Sequence, residues 1–340
     1  MIERNILVTG GAGFIGSHTC IALAAAGYKV IVLDDLSNSN ELMVARLRNL
    51  VPDLNFIKGD VRDAELLANI FADNPIAGVI HFAALKSVSE SLRLPLHYYD
   101  NNLVGLLNLL KVMDEARVHT LIFSSSATVY GNPEKLPLDE QSPCGGVTNP
   151  YGRSKLFIES ILADLHHAEP KWNIARLRYF NPVGAHESGM IGEWPNDVPS
   201  NLMPYVQQVA AGLRSHVNVY GDDYPTIDGT GVRDYIHVMD LAEGHVAALE
   251  YFNRQSGLLT VNLGTGQGTS VLHMIHTFAQ VNDCKIPYKI ATRRAGDVAS
   301  CWADVSLAER ELRWKAKRNL AQMCRDSWRW TKNMVGEQSF

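Results

Sequence analysis

Ile6-Leu7-Val8-Thr9-Gly10-Gly11-Ala12-Gly13-Phe14-Ile15-Gly16-Ser17-His18 decides how the rest of this 340-residue chain is read. Ile6 to Val8 is a short apolar run of the kind buried in a parallel sheet. A glycine cluster follows, and Ile15, Ile21, Leu23 and Ala26 then recur as they would along a helix. Gly11, Gly13 and Gly16 satisfy G-x-G-x-x-G, while Gly10, Gly13 and Gly16 satisfy the shifted G-x-x-G-x-x-G. Either way the physical need is the same. One glycine permits the tight turn and another lets the backbone approach a pyrophosphate. The last lets helix and strand pack closely, which aims the helix N-terminus at the anion. A glycine-rich turn without a ligand would also show the spacing, but the order of strand, glycines and helix favours a dinucleotide site.

Working outward, Lys29 to Asp34 reads as the second strand and closes the first βαβ unit. It ends in Asp34 and Asp35, near the distance past the glycines where an acid holds the adenine ribose 2′-hydroxyl. Two carboxylates there repel a 2′-phosphate, so the pair favours NAD over NADP, against the plainer reading of solvated aspartates. Asn55 to Asp60 reads as a third strand, placing Asp60 and Val61 against the adenine, and Gly78 to Ala84 as a fourth. His81 reads as a packed core histidine, since no second histidine or acid stands at metal-ligand spacing from it. No metal is expected. Pro95 to Arg117 carries apolar residues at helical spacing. Asn101 and Asn102 lie inside that pattern, where propensity gives them no reason to be, and spacing alone does not separate a polar site from a solvent-facing pair.

Thr120 to Phe123 is apolar and turns abruptly into Ser124, Ser125 and Ser126. Ligands of open α/β sheets bind beyond the carboxyl ends of the strands, so a serine run there is a site candidate, although turns also collect serine. Pro150 opens a helix running to His167, with Tyr151 and Lys155 four apart and so on one face. An ammonium beside a phenol favours the phenolate, which makes Tyr151 a candidate general base. After Asn181 the alternation of strands and helices breaks down. Pro204 to Gly212 and Val238 to Phe252 still read as helices and Leu259 to Leu263 as a strand. Trp314, Trp328 and Trp330 read as helical core. The expected fold is α/β: a Rossmann-type doubly wound parallel sheet over residues 1–180, with a smaller α/β substrate domain over residues 181–340.

Composition sets the outer limits. The 31 basic and 36 acidic residues give a formal charge of -5 without long blocks of either sign, which argues against nucleic acid or a membrane surface as partner. The five cysteines are scattered and lack C-x-x-C spacing, which suits a reducing cytoplasm better than a disulfide framework. Met1 to Asn5 has no signal-peptide pattern, and a cytoplasmic location is expected.

The glycine loop, the serine-ended strand and Tyr-x-x-x-Lys together resemble the extended short-chain dehydrogenase/reductase family. Phe82 to Lys86, Ser124 to Gly131, Arg178 to Ala185, Asn201 to Pro204 and Gly231 to Val238 resemble its UDP-hexose 4-epimerase branch. The related 4,6-dehydratases carry an Asp-Glu pair, and UDP-glucuronate decarboxylases a glutamate, where this chain has Ala127 and Thr128. The resemblance implies reversible inversion of UDP-glucose and UDP-galactose at C4 through a 4-keto sugar, with tightly held NAD. It makes Tyr151 the base, Ser126 the group that positions the 4-oxygen, and Lys155 the holder of the nicotinamide ribose.

The same resemblance implies NAD contacts from Gly10, Gly13, Phe14, Ile15 and Gly16 in the loop, and from Asp34, Asp35, Asn38 and Ser39 after the second strand. Asp60, Val61, Phe82, Ala83, Ala84, Lys86 and Asn101 continue that surface, and Ser124, Tyr151, Lys155 and Phe180 complete it. For the UDP-sugar it implies contacts from Lys86, Ser126, Thr128, Tyr179 and Leu202. Asn181, Asn201, Val219, Tyr220, Arg233, Arg294 and Asp297 fall on the UDP. Arg233 and Arg294 have the forked geometry that matches diphosphate oxygens, Arg293 reads as the solvated neighbour, and Val219-Tyr220 is expected against the uracil. Cys301 stands where many relatives restricted to the glucose pair carry tyrosine. The freed volume would admit a 2-acetamido group and so UDP-GlcNAc and UDP-GalNAc, unless Cys301 is simply a small buried hydrophobe. A dedicated UDP-GlcNAc 4-epimerase and a non-catalytic NAD-binding regulator remain the alternatives. The helices beginning at Pro95 and Pro150 are expected to pair with their copies in a homodimer.

Overall fold

The computed structural model describes residues 4–195, 199, 201–294 and 296–337. Strands β1 (Asn5–Thr9), β2 (Lys29–Asp34), β3 (Asn55–Lys58), β4 (Ile76–His81), β5 (Thr120–Ser124) and β6 (Asn173–Tyr179) form most of one parallel sheet. Later in the chain come β7 (Asn181–Val183), β8 (Val217–Tyr220), β9 (Val232–His237), β10 (Leu258–Leu263), β11 (Gly268–Ser270), β12 (Tyr288–Ala291) and β13 (Ser300–Cys301). The large sheet runs β10-β6-β5-β4-β1-β2-β3. Its order reverses between β1 and β4, so the crevice beyond their carboxyl ends is the place for a ligand.

Both faces of the sheet are covered, which is why its strands read as continuous apolar runs rather than alternating ones. Ile6, Val8, Val32, Ile80 and Ile122 pack on one side with Leu23, Leu241 and Val246. Leu7, Ile31, Val79, Leu121 and Phe123 pack on the other with Leu106, Leu109, Ile158 and Leu162. Each large side chain so buried contributes about 1.5–3 kcal/mol. Asn149 caps the helix Pro150–Ala168, its side chain accepting from Gly152 N at 2.8 Å with proline at the first turn.

The helix expected over residues 95–117 is not continuous. It runs Pro95–Tyr99, widens into a π-helical turn over Asp100–Val104, and resumes as Gly105–Glu115. The widened turn holds the asparagine pair.

The chain crosses the expected division at residue 180 a second time. β10 pairs in parallel with β6 at the edge of the large sheet, and the helix Val238–Tyr251 packs on the helix Phe14–Ala25. The large sheet is therefore built from the six strands ahead of residue 180 and from β10. The remainder forms a small sheet of β7, β9, β11 and β13 and a separate parallel pair of β8 with β12. Helices Leu202–Ala210, Val271–Val281 and Leu320–Glu337 enclose its core around Val206, Phe278 and Met323. Trp314 and Trp330 are buried, and Trp328 lies edge-on to Phe278. All five cysteines are free. Among the described residues no helix is long and apolar enough to cross a membrane, and no group of three His, Cys, Asp or Glu could hold a metal ion.

Candidate active site

The glycine bend sits at the carboxyl end of β1. Gly10 has φ +70°, and a Cβ there would stand 2.7 Å from Ala83 N. A Cβ on Gly16 would stand 2.3 Å from the Gly10 carbonyl oxygen, so strand and helix approach as closely as backbone allows. Gly13 begins the helix Phe14–Ala25 and no side chain caps it. Its first N–H groups and the positive end of its dipole are thus presented to an anion. Ala12 N donates to Asp34 Oδ2 and Leu36 N to Oδ1, both at 2.9 Å, and Ser39 Oγ donates to Ala12 O at 2.8 Å. Those bonds join the end of β2 to the bend. Burial pushes the Asp34 carboxyl above its usual range. Asp35 and Asn38 are exposed, and Asp35 accepts from Ser37 N. These are the features a dinucleotide pyrophosphate and ribose need: a cradle that any Cβ would fill, free donors, and a carboxylate at the next strand end.

The facing wall is Phe82-Ala83-Ala84. Ala83 N donates to the Thr9 carbonyl at 3.1 Å. Thr9 Oγ1 and His81 Nδ1 bond at 2.7 Å, and burial holds His81 down to about 3, so it is neutral and structural. Of the two asparagines, Asn102 is the buried one. It accepts from Leu85 N at 2.8 Å and donates to Leu85 O at 3.1 Å and to Ser154 Oγ at 3.0 Å. Asn101, expected at the cofactor, is half-buried and donates to Asn102. Asp60 is clamped by Arg62, whose guanidinium draws the carboxyl below its usual range, and Val61 is buried.

At the end of β5 the serine run meets the helix that carries Tyr151. Ser126 accepts from Thr128 N at 3.2 Å and lies against the Tyr151 hydroxyl. Burial pushes the Tyr151 phenol above its ordinary value, and the Ser126 hydroxyl pulls the other way. Lys155, one turn further along the same helix, is buried. Its ammonium turns inward, donating to Ser124 O at 2.7 Å and lying 4.9 Å from the centre of the Phe123 ring. Burial lowers Lys155 to about 7, opposed by the charge of Glu159. Ser124 Oγ bonds the Tyr179 hydroxyl. The Thr128 hydroxyl is buried without a hydrogen-bond partner. It lies beside Gly152, the residue after Tyr151, where an added Cβ would stand 3.5 Å from it.

Across the crevice, Arg233 and Cys301 are register partners on β9 and β13. Burial raises the Cys301 thiol to about 11, so it is a neutral, half-buried group rather than a nucleophile. Arg294 Nε donates to Asp297 Oδ2 at 2.9 Å, and its guanidinium lies 4.7 Å over the Tyr220 ring. Val219 is in the hydrophobic core, so of the expected uracil pair only Tyr220 presents a side chain. Arg293 pairs with Asp223 at 2.7 Å. Asn181 lies on β7 and Leu202 opens a helix, both half-buried, while Phe180 packs with Val129 and Tyr130. Glu193, which no motif marked, binds two of the expected substrate residues: Lys86 Nζ at 3.5 Å and Asn201 Nδ2 at 3.3 Å.

A parallel sheet with its glycine bend at the switch point, faced by serine, tyrosine and lysine, defines a short-chain dehydrogenase/reductase of the extended type. Residues 7–327 match the family described as GDP-mannose 4,6 dehydratase. A UDP-glucose 4-epimerase of Bacillus subtilis (strain 168) is 55% identical over 331 residues, covering 97% of each chain. The crystal structure of a UDP-glucose 4-epimerase from Stenotrophomonas maltophila with NAD and formylated UDP-arabinopyranose has TM-score 0.96 and 50% identity, covering 98% of this chain and 99% of that one. The Bifidobacterium longum enzyme in complex with NAD+ and UDP gives 0.94 and 53%, covering 98% and 100%. The chain belongs to the UDP-glucose 4-epimerase family.

Proposed function

We propose that this chain interconverts UDP-glucose and UDP-galactose by oxidising and then reducing C4, with NAD kept in the glycine cradle. The observation that supports this most lies at the end of β5: Ser126 against the Tyr151 phenol, with the unpartnered Thr128 hydroxyl near Gly152, the next residue along. Bound NAD supplies reversible hydride acceptance at C4. Tyr151 takes the 4-hydroxyl proton and later gives it back. Ser126 holds the 4-oxygen, and Lys155 holds the nicotinamide ribose. Thr128 stands where an eliminating enzyme needs an acid and offers only a hydroxyl to the sugar, so the ketone is reduced rather than dehydrated. Arg233, Arg294, Asn181 and Asn201 hold the diphosphate and Asp297 a ribose hydroxyl. A base against Tyr220 would share that ring with the Arg294 guanidinium.

Cys301 leaves the volume of an aromatic ring free beside Arg233, so the N-acetyl pair, UDP-GlcNAc and UDP-GalNAc, is also turned over. The residues ahead of β7, with the segment that returns as β10, carry the cofactor; the rest carries the UDP-sugar. The working form is a cytoplasmic homodimer. Its seam is the helix pair that exposes Leu96, Val104, Leu107 and Phe157 and leaves an apolar cavity of about 260 Å³ between Leu107, Leu110, Ile161 and Trp172. The test is one purified sample, with its bound cofactor released and identified, its mass in solution measured by light scattering, and four UDP-sugars assayed. NAD, a dimer and turnover of the glucose pair are expected. A sample that takes up no dinucleotide or turns over neither pair ends the reading, and the ratio of kcat/KM between pairs separates a dedicated N-acetyl enzyme.

A further inference from the structure

Behind the Tyr151 helix lies a buried run of polar bonds that the steps above leave unused. Glu159 follows Lys155 by one turn, so Tyr151, Lys155 and Glu159 share a helix face. Its carboxylate accepts from Ser125 Oγ at 2.5 Å, from Arg178 Nε at 2.9 and 3.2 Å, and from Arg178 Nη2 at 2.6 Å. Arg178 is held in turn, donating to the Tyr130 hydroxyl at 3.2 Å and the Glu140 carbonyl at 3.3 Å. The carboxylate is thus fork-bound and cannot swing. A buried ion pair of this kind seldom adds net stability over apolar packing, so its placement calls for another reason. Ser125 supplies one. It stands between Ser124, whose carbonyl takes the Lys155 ammonium at 2.7 Å, and Ser126, whose hydroxyl meets Tyr151.

We infer that Glu159 is a positioning residue for the epimerisation: gripped by Arg178, it pins the Ser124–Ser126 backbone through Ser125 and keeps an anion beside the Lys155 ammonium. The inference rests on the roles proposed for Tyr151, Ser126 and Lys155. The groups around Lys155 leave that electrostatic task to Glu159. His81 from β4 is neutral, Phe123 from β5 offers a ring face, and Arg178 from β6 is a cation bound to Glu159 itself. The Tyr179 phenol, also from β6, is raised by burial and stays protonated.

The sign of the effect follows. The reaction needs the ammonium, and Glu159→Gln keeps an acceptor for Ser125 while removing the charge that supports it. The alkaline limb of the kcat profile should move to lower pH by about two units, as expected for a charge one helical turn away at an effective dielectric constant near 20. Ser125→Ala removes the pin without touching a charge. It should lower kcat about tenfold through misplacement of Ser126 while leaving KM within about twofold and the pH limb unmoved. Both variants are assayed beside Tyr151→Phe, with circular dichroism to confirm the fold. A folded Glu159→Gln with the wild-type limb, or a Ser125→Ala with wild-type kcat, overturns the inference; if Glu159→Gln does not fold, Ser125→Ala decides alone. An active Tyr151→Phe would overturn the site reading instead, so the two failures are distinguishable.

Discussion

Gly16→Ala asks whether the bend after β1 is shaped for a ligand or only for turning. The added Cβ would meet Gly10 O at 2.3 Å, Gly11 Cα at 2.8 Å and Gly10 C at 3.0 Å, all of them backbone. No rotamer change relieves such contacts, so the start of the helix must move away from the bend. Overpacking of this kind costs about 1–3 kcal/mol. The displaced helix start also loses its aim at the pyrophosphate, and with it the stabilisation that a tightly held ligand lends the fold. Gly27→Ala is the control. Gly27 has φ +83° with nothing within 4 Å of the added Cβ, so only the left-handed backbone is strained, at about 1–2 kcal/mol. Urea midpoints and NAD per purified chain are measured for both variants. Gly16→Ala should lose stability and most of its NAD, whereas Gly27→Ala should lose stability alone. A Gly16→Ala protein that purifies with its full complement of NAD and normal turnover would refute the reasoning.

Lys155 is held near 7 by burial, against about 10.4 for an exposed lysine. Between those values the unfolded chain binds the extra proton, so this group makes stability rise with pH through that window. Lys155→Met should flatten the rise, gain on the order of 4 kcal/mol at neutral pH and lose activity; urea unfolding at neutral and alkaline pH checks it, and parallel curves would contradict it. Cys301→Tyr should abolish turnover of UDP-GlcNAc and UDP-GalNAc while sparing the glucose pair, read as the ratio of kcat/KM. Asn102→Ala leaves the Leu85 amide and carbonyl without their partner and should cost about 1–3 kcal/mol, visible as a lower urea midpoint with unchanged slope.

How much of this was legible beforehand differs by residue. The strand, bend and helix around Gly10 to Gly16 could be read because every requirement there is local: a turn, a close approach, an uncapped helix start. Ser126, Tyr151 and Lys155 were legible as types at a strand end and on a helix face. The direction in which Lys155 points was not, because that depends on the carbonyl of Ser124, a residue 31 positions away. The π turn at Asp100–Val104 leaves the apolar spacing on either side helical, so periodicity continues through it, and only the out-of-place asparagines hinted at an irregularity. The return of β10 to the large sheet could not be inferred from an apolar run that would suit either sheet. Glu193 and Glu159 carry no motif, and Arg178 opens one that gives no sign of its partner. They are found only when side chains distant in sequence are seen together.

Turnover of UDP-galactose by Tyr151→Phe, with NAD content measured on the same sample, tests the account most directly. Removing one hydroxyl leaves the cradle intact, so NAD should be retained while kcat falls about 10²- to 10⁴-fold, the range for loss of a general base. Turnover near that of the unaltered chain, with NAD in place, would show that the proton leaves the sugar by another route.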